Sequence, residues 1–510
     1  MSAHHKDPKR WVALGVLSSA LFLIVVDMTV LYTALPRLTH DLGASASEKL
    51  WIVNAYALVV AGLLPGAGVL GDRIGHRKMF LGGLFVFGLA SLMAAFAPNP
   101  QVLIAARVAL ALGAAMMMPA TLSLIRLLFE DEAERAFAIG VWAAVASGGA
   151  AFGPLMGGAL LEFFWWGSVF LINIPILLIA VVLTLKIIPD RPGDPRLPWD
   201  PVASVFVTLG LIGLVYGVKE FGKPAPDLGA AALAGALGAG FILLFVRRQN
   251  RAPLPMIDFA LFRNPVFTAG VLAAVVSAGA LIGAQLVISQ RLQLVQEFTP
   301  LQAGLALMPG SLASFVAGPL AGSLLPRLGG PKVMGWGLVL CAAGVLGYLW
   351  AWEGASLAAL ASQAVLGFGV GATMTAASAT ILMNAPAERA GMAASMEEVS
   401  YELGGTLGVA LLGSIMLGVY TARIGAAPGF PPEVRDGVDE ALRAAETLPP
   451  EAAARLVGLA REAFHGAFSA VMLTAAAVLL LAALGVAYAG WRAAATSRPD
   501  PEASEIKAPL

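Results

Sequence analysis

The sequence predicts an all-α polytopic membrane protein of about fourteen helices. Of its 510 residues, 58% are hydrophobic and 13% are charged, and the mean hydropathy is +0.81. The apolar share of a soluble globular protein is near half or below. In addition, the apolar residues form runs of about 20, the length that crosses a bilayer as a helix, and Lys and Arg collect in alternate loops. These three observations exclude a soluble fold.

Composition also excludes several kinds of site. The formal charge is zero, so no overall field attracts nucleic acid. Cys341 is the single cysteine and the five histidines are scattered, which excludes an internal disulfide and gives no metal-ligand spacing. The stretch from Gly217 to Lys223 has phosphate-loop spacing, but Pro224 replaces the metal-binding Ser or Thr. We therefore expect no enzyme activity, no metal and no organic cofactor.

The predicted spans follow the apolar runs along the chain. A basic N-terminus precedes the first run, which has no small-residue cleavage site, so we expect a retained helix rather than a signal peptide. A Pro- and charge-rich linker and a basic linker, at 189–198 and 247–264, separate the later spans. The runs fall near 11–34, 49–71, 79–97, 101–126, 136–160, 167–188, 200–218, 228–246, 265–290, 301–325, 332–351, 356–383, 392–420 and 464–491.

Loop charges predict the orientation. Alternate loops carry most of the Lys and Arg, and we call this face of the molecule the basic side. Cytoplasmic loops collect positive charge, so the basic side and both termini are predicted to be cytoplasmic, with an even number of spans. The opposite side carries few basic residues, namely Arg37, Lys49, Lys219, Lys223 and Arg291.

An internal repeat divides the chain. Gly68–Lys78 aligns with Gly322–Lys332, and Glu134–Ala136 aligns with Glu388–Ala390, both at an offset of 254 residues. A shared offset indicates two parallel six-helix halves. We expect an N-terminal bundle at 1–198, two inserted helices with a linker at 199–264, a C-terminal bundle at 265–491 and a cytoplasmic tail at 492–510.

One long external loop is predicted at 421–463. Pro431-Pro432 and Pro449-Pro450 punctuate two Ala-rich, charged stretches that are typical of short surface helices. The loop is either a solvated connector or a lid over the external opening.

Four carboxyl groups fall inside apolar runs, where a carboxylate costs several kcal/mol unless it is neutralised or paired. Asp27 lies about 24 Å along its helix from Trp11, beyond the bilayer midplane, where it either binds a cation and a proton in turn or reaches external water. Glu398 and Glu402 share one helix face. Glu397 points about 100° away from Glu398.

Two interpretations of the glutamates stay open. They can bind protons and cations, or Glu397 and Glu398 can simply favour the positive N-terminal end of their helix. In the repeat alignment their positions match Ala143, Ala144 and Gly148, so the two halves differ chemically. Arg107 is the basic residue deepest in a span, and we expect it to face the interior.

Three motifs resemble those of the fourteen-span drug:proton antiporters of the major facilitator superfamily. The first is the loop with Gly68, Asp72, Arg73, Gly75, Arg77 and Lys78, the second is Val26-Asp27-Met28-Thr29-Val30, and the third contains Gly153, Pro154, Gly157 and Gly158. The resemblance implies a major facilitator fold with two inserted helices. It also implies that the first loop latches the two halves together, and that Arg107 adjusts the proton affinity of Asp27 or serves as a plain counter-ion. A simple orientation signal is the alternative for the loop, and tight packing is the alternative for the Gly-Pro motif.

The sequence departs from the family pattern at several positions. His76 replaces a usual basic residue, Tyr32 stands where Asn is frequent, and Leu110-Ala111 replaces Gln-Gly after the fourth-helix Arg. Asn54 occupies a position where some relatives carry an acid, which leaves the substrate range open.

We therefore predict a proton-coupled antiporter, driven by the proton motive force, that exports hydrophobic and often cationic drugs, dyes or antiseptics. It is predicted to be a monomer in the inner membrane, in contact with lipid and not with nucleic acid. Aromatic, Met and polar side chains are candidates for substrate contacts, with core or lipid-facing packing as the alternative: Trp51, Asn54, Tyr56, Met116, Met117, Trp142 and Tyr401. A proton-linked carrier of lipid or another metabolite, and a membrane sensor or scaffold that does not transport, remain alternatives.

Overall fold

The computed structural model describes residues 8–44, 46–197, 199–221, 227–252, 255, 257–351, 356–425, 430–435 and 437–496. The tail predicted at 492–510 falls outside this part beyond residue 496. The N-terminal half contains helices α1 (Lys9–Asp41), α2 (Ala46–Ile74), α3 (His76–Ala95), α4 (Pro100–Leu128), α5 (Glu132–Phe163), α6 (Ser168–Leu171) and α7 (Asn173–Ile187). The run predicted at 167–188 as one span is therefore interrupted at Ile172, between α6 and α7.

The inserted pair is α8 (Pro201–Phe221) and α9 (Leu228–Arg251). The C-terminal half contains α10 (Pro265–Gln290), α11 (Pro300–Leu328), α12 (Gly330–Trp350), α13 (Leu357–Met383), α14 (Ala390–Ile424), α15 (Val438–Ala445) and α16 (Pro450–Thr496). In the predicted external loop, the first Ala-rich stretch forms α15. The second was wrongly predicted as a separate surface helix, because it continues without a break into the last span as the start of α16.

Helix starts follow local capping signals. Asn99 accepts a hydrogen bond from the Val102 amide at 2.9 Å and is followed by Pro100, which starts α4. Thr299 and Gln302 form a reciprocal capping box at the start of α11. Such signals fix where the chain re-enters a span.

Thirteen helices within the described residues are long and apolar enough to cross a membrane. Helix α5 is not among them, but its 32 residues extend about 48 Å at 1.5 Å per residue. It connects the basic-side end of α4 with α6 on the opposite side. With α5 the number of spans matches the fourteen that the sequence predicts.

The two halves meet through glycine-mediated crossings related by the sequence repeat. A Cβ on Gly68 of α2 would lie 2.7 Å from the Ser395 side chain of α14, and a Cβ on Gly322 of α11 would lie 2.9 Å from Phe137 Cα of α5. Real Cβ atoms essentially never come this close, so only glycine permits the helix approach. Gly68 and Gly322 are separated by the 254-residue offset. The interface is therefore pseudo-symmetric.

Helices α5 and α11 stay together only in their basic-side halves. The hydroxyl groups of Ser147 and Ser314, near the middle of each helix, are 2.8 Å apart. Farther from the basic side, Phe152 and Leu155 lie on nearly the same face of α5 as Gly148, which contacts Phe315 of α11, yet they are 55% and 49% exposed. The halves are thus closed at the basic side and diverge towards the opposite side.

The inserted pair packs on the N-terminal half. The Thr208 hydroxyl of α8 donates a hydrogen bond to the Gly62 carbonyl of α2 at 2.8 Å. Asp200 accepts hydrogen bonds from the first amides of α8. It also forms an ion pair with Arg248 of α9. Partial burial opposes ionisation of Asp200, but these donors hold its pKa below the ordinary value. The carboxylate therefore joins α8 to α9 at the basic side.

Candidate functional site

A buried ion pair forms the polar centre of the N-terminal half. Asp27 of α1 and Arg107 of α4 are each 2% exposed, and Arg107 Nη1 donates to Asp27 Oδ2 at 2.5 Å. The Nε–H of Arg107 donates to the Ile52 carbonyl of α2 at 3.3 Å. The structure thus places Arg107 inside the bundle beside Asp27, and Asp27 does not reach external water. Because each charge offsets the desolvation of the other, the pair can lie in hydrocarbon.

Two further polar side chains extend this centre. Asn173 of α7 is fully buried and lies near the Asp27 carboxyl. Its Nδ2 donates to Ser91 Oγ of α3 at 3.1 Å. Neither Asn173 nor Ser91 was singled out from the sequence, because an isolated Asn or Ser in an apolar run carries no periodic signal.

Tyr56 of α2 covers the guanidinium group. Its ring centroid lies 4.4 Å from Arg107 Cζ, a cation–π contact, and the side chain is 1% exposed. Among the described residues its hydroxyl has no hydrogen-bond partner. A buried hydroxyl without a partner is unfavourable, so this group is available for a ligand or a proton.

The acidic group of the C-terminal half lies on α14. Glu397 and Glu398 are 0% and 4% exposed, and Glu402 is half-buried. Glu397 is seven residues into α14, about 10 Å from its start. The favourable field of a helix N-terminus is confined to the first turn. Attraction to the helix end therefore does not account for these residues.

Glu397 and Glu398 have different surroundings. Glu397 accepts a hydrogen bond from the Ser378 hydroxyl of α13, and Tyr401 donates to the Met374 carbonyl of the same helix at 3.2 Å. Glu397 and Tyr401 therefore face α13, inside the C-terminal half. Glu398 is on a different face, and its Oε1 has no hydrogen-bond partner among the described residues.

Tyr56 connects the two polar groups. Its side chain lies close enough to Asp27, Arg107, Glu398 and Glu402 to interact electrostatically with all four. Helix α14 packs against both α2 and α4. The structure thus places Tyr56 of the N-terminal half near charged residues of both halves, which are far apart in sequence.

The loop after α2 contacts the other half directly. Asp72 is 6% exposed and accepts hydrogen bonds from the amides of Gly391 and Met392 at 2.7 and 2.9 Å. The residue that precedes α14, Arg389, makes no side-chain cap. Asp72 therefore supplies the missing N-terminal cap across the interface. His76, a departure from the family pattern, lies 3.1 Å from Asp72 and supports it.

The other residues of this loop shape it. Gly75 has a φ of 99°, which L side chains rarely adopt, and a Cβ there would approach the Arg191 carbonyl to 2.9 Å. Arg77 donates to the Leu185 carbonyl of α7 at 2.8 Å. Arg73 is half-buried and Lys78 is exposed, as expected of a residue that marks orientation.

The glycines of the Gly-Pro motif of α5 have different surroundings. A Cβ on Gly153 would lie 2.8 Å from Thr29 Cβ of α1, so Gly153 permits close helix approach. Gly157 is buried. A Cβ on Gly158 would meet open space, so Gly158 is not needed for close helix approach in this conformation. Pro154 lies within continuous α5, and its side chain falls outside the described part.

Several predicted substrate contacts lie elsewhere. Met116 and Met117 of α4 pack against Gly82 and Gly83 of α3, which favours the packing interpretation. The Trp142 indole N–H donates to Thr121 of α4 at 3.1 Å inside the same half. The sequence pattern of a Met or Trp in a span is the same whether the side chain faces a cleft or a neighbouring helix, so the sequence leaves both interpretations open for these residues.

Two further substrate-contact candidates, Trp51 and Asn54, lie on α2. Trp51 is 45% exposed and stacks on Tyr216 of the inserted α8, with ring centroids 6.3 Å apart. It therefore contacts the inserted pair rather than the acidic group. Asn54 is half-buried, one turn farther along α2.

Comparison with known proteins identifies the family. The sequence profile of the Major Facilitator Superfamily matches residues 17–409. This chain belongs to the major facilitator superfamily. It is thus a membrane transporter rather than an enzyme.

Relatives that match this major facilitator transporter over nearly their full length include an efflux pump and a resistance protein. It is 41% identical over 493 residues to the multidrug efflux pump LfrA of Mycolicibacterium smegmatis, covering 95% of this chain and 97% of that protein. It is 39% identical over 488 residues to the methyl viologen resistance protein SmvA of Salmonella typhimurium, covering 94% and 98%. The crystal structure of the human organic anion transporter MFSD10 matches with a TM-score of 0.62 at 13% identity, covering 94% and 100%, which supports the fold.

Asp72→Asn should weaken the latch of this transporter. It removes a charged cap that joins the halves, and caps of this kind contribute about 1 to 2 kcal/mol. Opening of the basic side should rise about tenfold, measured as thiol labelling of Ser395→Cys, which is buried below the latch. The background is low because the native Cys341 is buried. Asp131→Asn, at the cap of α5 within one half, is the matched control. Equal labelling in both variants would contradict the latch.

Tyr56→Phe should leave stability unchanged or raise it by about 1 kcal/mol, because it removes a buried hydroxyl without a partner and keeps the ring over Arg107. Tyr56→Ala should cost about 3 to 5 kcal/mol through the cavity and the lost cation–π contact. Thermal unfolding of both variants in detergent measures the difference. A loss with Phe as large as that with Ala would show that the hydroxyl is bonded in the folded state.

Proposed function

We propose that this protein exports hydrophobic, cationic small molecules from the cytoplasm in exchange for protons. The observation that carries the proposal is the position of Glu398 and Glu402, which project from α14 to the vicinity of Tyr56, where the two halves meet. A carboxylate inside the membrane is unfavourable unless its charge is compensated, so such a group tends to bind a cation or a proton. The names of LfrA and SmvA support a drug-export role.

The exchange follows from competition for the acidic group. Glu397, Glu398 and Glu402 lie within six consecutive residues, and like charges so close cannot all be ionised without a compensating cation. A cationic cargo compensates them from the cytoplasmic side. Protons that enter from outside neutralise the same carboxyls, and the cargo is released.

The two halves have different roles in this cycle. The Asp27 carboxylate is already compensated by Arg107, so it binds a proton only when that pair loosens. Tyr56 packs on Arg107 and is close to Glu398 and Glu402. Cargo or proton binding on α14 is thereby communicated to the Asp27–Arg107 pair.

The observed conformation corresponds to the releasing state. The basic side, which we assign to the cytoplasm together with both termini, is held closed by Asp72 and the glycine crossings. Divergence of α5 and α11 leaves the opposite side as the route of release. A rocking motion of the halves about these contacts then exposes the acidic group alternately.

The proton motive force drives this export. In this proposal the protein works as a monomer in the inner membrane of the cell. One proton moving inward across about 100 mV releases about 2.3 kcal/mol. For an uncharged cargo this supports a concentration ratio of some tens-fold, since about 1.4 kcal/mol is tenfold. One-for-one exchange with a monovalent cation is electroneutral and is driven by the pH difference alone. Steeper export, or a net electrogenic cycle with a monovalent cation, requires more than one proton.

Asp27→Asn should abolish proton-driven export of ethidium while the protein still reaches the membrane. The amide oxygen can still accept the bond from Arg107, but the side chain no longer titrates. Efflux driven by an imposed pH gradient in vesicles measures the effect. Asp41→Asn, at the exposed end of the same helix, is the matched control. Undiminished efflux would remove Asp27 from the mechanism.

Glu398→Gln and Glu402→Gln should each reduce ethidium efflux about tenfold, since each removes one charge that attracts the cation, an interaction of about 1.4 kcal/mol. Glu451→Gln, at the exposed start of α16, provides the same chemical change away from the site. The same vesicles establish direction: dye accumulation on the proton-rich side indicates exchange. Accumulation with the proton flow would indicate uptake and contradict export.

A further inference from the structure

A lipid-facing groove opens between α12 and α16 at the basic side. Its volume is about 900 Å³, within the range of small-molecule sites. The groove is lined almost entirely by apolar and small side chains, with one cation at its end. The lining residues that matter here are Pro331, Lys332, Gly335, Trp336, Leu480 and Trp491.

The residues at this helix junction differ between the two halves. At the equivalent junction of the N-terminal half, Arg77 of α3 donates to the Leu185 carbonyl of α7 and lies 3.9 Å from Asp190. The position related to Arg77 by the 254-residue offset is Pro331. Proline cannot make such a bond. At Pro331 the two helices pack closely, because a Cβ on Gly490 of α16 would lie 2.7 Å from Pro331 Cβ, and these two residues bound the groove.

The length of the groove matches one bilayer leaflet. From Leu480 to Trp491, α16 rises about 16 Å at 1.5 Å per residue. The hydrocarbon core is about 30 Å thick, so this is the depth of a single leaflet. An acyl chain lying against Leu480 and Leu484 would therefore extend from the interface to the bilayer midplane.

The polar end of the groove is basic and aromatic. Lys332 is exposed and lines the groove, and Trp336 and Trp491 are each 67% exposed. Trp residues favour the level of the headgroups, and basic pockets between spanning helices favour anionic headgroups. A cationic drug would be repelled by Lys332, so the groove does not suit the proposed cargo.

We propose that this groove binds an anionic phospholipid of the basic-side leaflet, with its acyl chain along α16 and its phosphate beside Lys332. The site is separate from the acidic group of the proposed transport function. Only its assignment to the cytoplasmic leaflet rests on the proposed orientation.

Native mass spectrometry of the full chain tests the headgroup contact. The protein is equilibrated with equal amounts of phosphatidylglycerol and phosphatidylcholine that carry the same acyl chains, and retained lipid is measured. Wild-type protein should retain phosphatidylglycerol preferentially. Lys332→Gln should reduce that preference about fivefold, the effect of one basic residue near an anionic headgroup. Arg247→Gln removes the same charge from an exposed position at the end of α9 and should not change it.

A second pair of variants tests the groove itself. A Cβ on Gly335 meets open space, so Gly335→Leu fills the groove without a clash and should remove one retained lipid. Gly240→Leu, on lipid-facing α9 and also in open space, should retain it. The proposal is overturned if Lys332→Gln behaves as Arg247→Gln, or Gly335→Leu as Gly240→Leu. Displacement of the lipid by soluble glycerol phosphate would equally overturn it. Lipid retention is measured without transport, so this result does not depend on the proposed export.

Discussion

The arrangement of this transporter depends on the cost of placing charge inside a membrane. Arg107 and Asp27 are among the most deeply buried charged residues, and each makes the other tolerable. The pair requires α1 and α4 to adjoin, and the Ile52 carbonyl and the Tyr56 ring bring α2 to the same point. Three helices of the N-terminal half are thereby arranged around a single ion pair.

The C-terminal half solves the same problem differently. Its glutamates lie on one helix, and Glu397 is stabilised by hydrogen bonding to Ser378 rather than by a basic partner. The positions that the repeat assigns to them in the first half hold Ala143, Ala144 and Gly148. The repeat thus accounts for a similar helix arrangement in the two halves. Differences in polar residues then give the N-terminal half an ion pair and the C-terminal half a group of glutamates.

Asymmetry also appears where the halves meet. The glycine crossings at Gly68 and Gly322 are related by the repeat, so backbone packing is shared. The charged cap is not shared: Asp72 caps α14, whereas its counterpart is Pro326, and α5 is capped by its own Asp131. The α2–α14 interface therefore has a charged contact that can break and re-form, which suits a latch. The α5–α11 interface has close glycine packing and the neutral hydrogen bond between Ser147 and Ser314.

The sequence by itself determined the class of protein, the helix positions and the repeat, because hydrophobic length, loop charge and a fixed offset are local or linear properties. It also identified Asp27, Arg107 and the glutamates as unusual, since a charge in an apolar run is visible without any structure. Tertiary structure decided the pairings. Which face of a uniformly apolar helix turns inward has no periodic signal, so the sequence left substrate contact and packing open for Met116, Met117 and Trp142 and did not single out Asn173 and Ser378. The same limit hid the position of Tyr56 near charged groups of both halves, because that position depends on how α2 and α14 cross and not on anything along either helix.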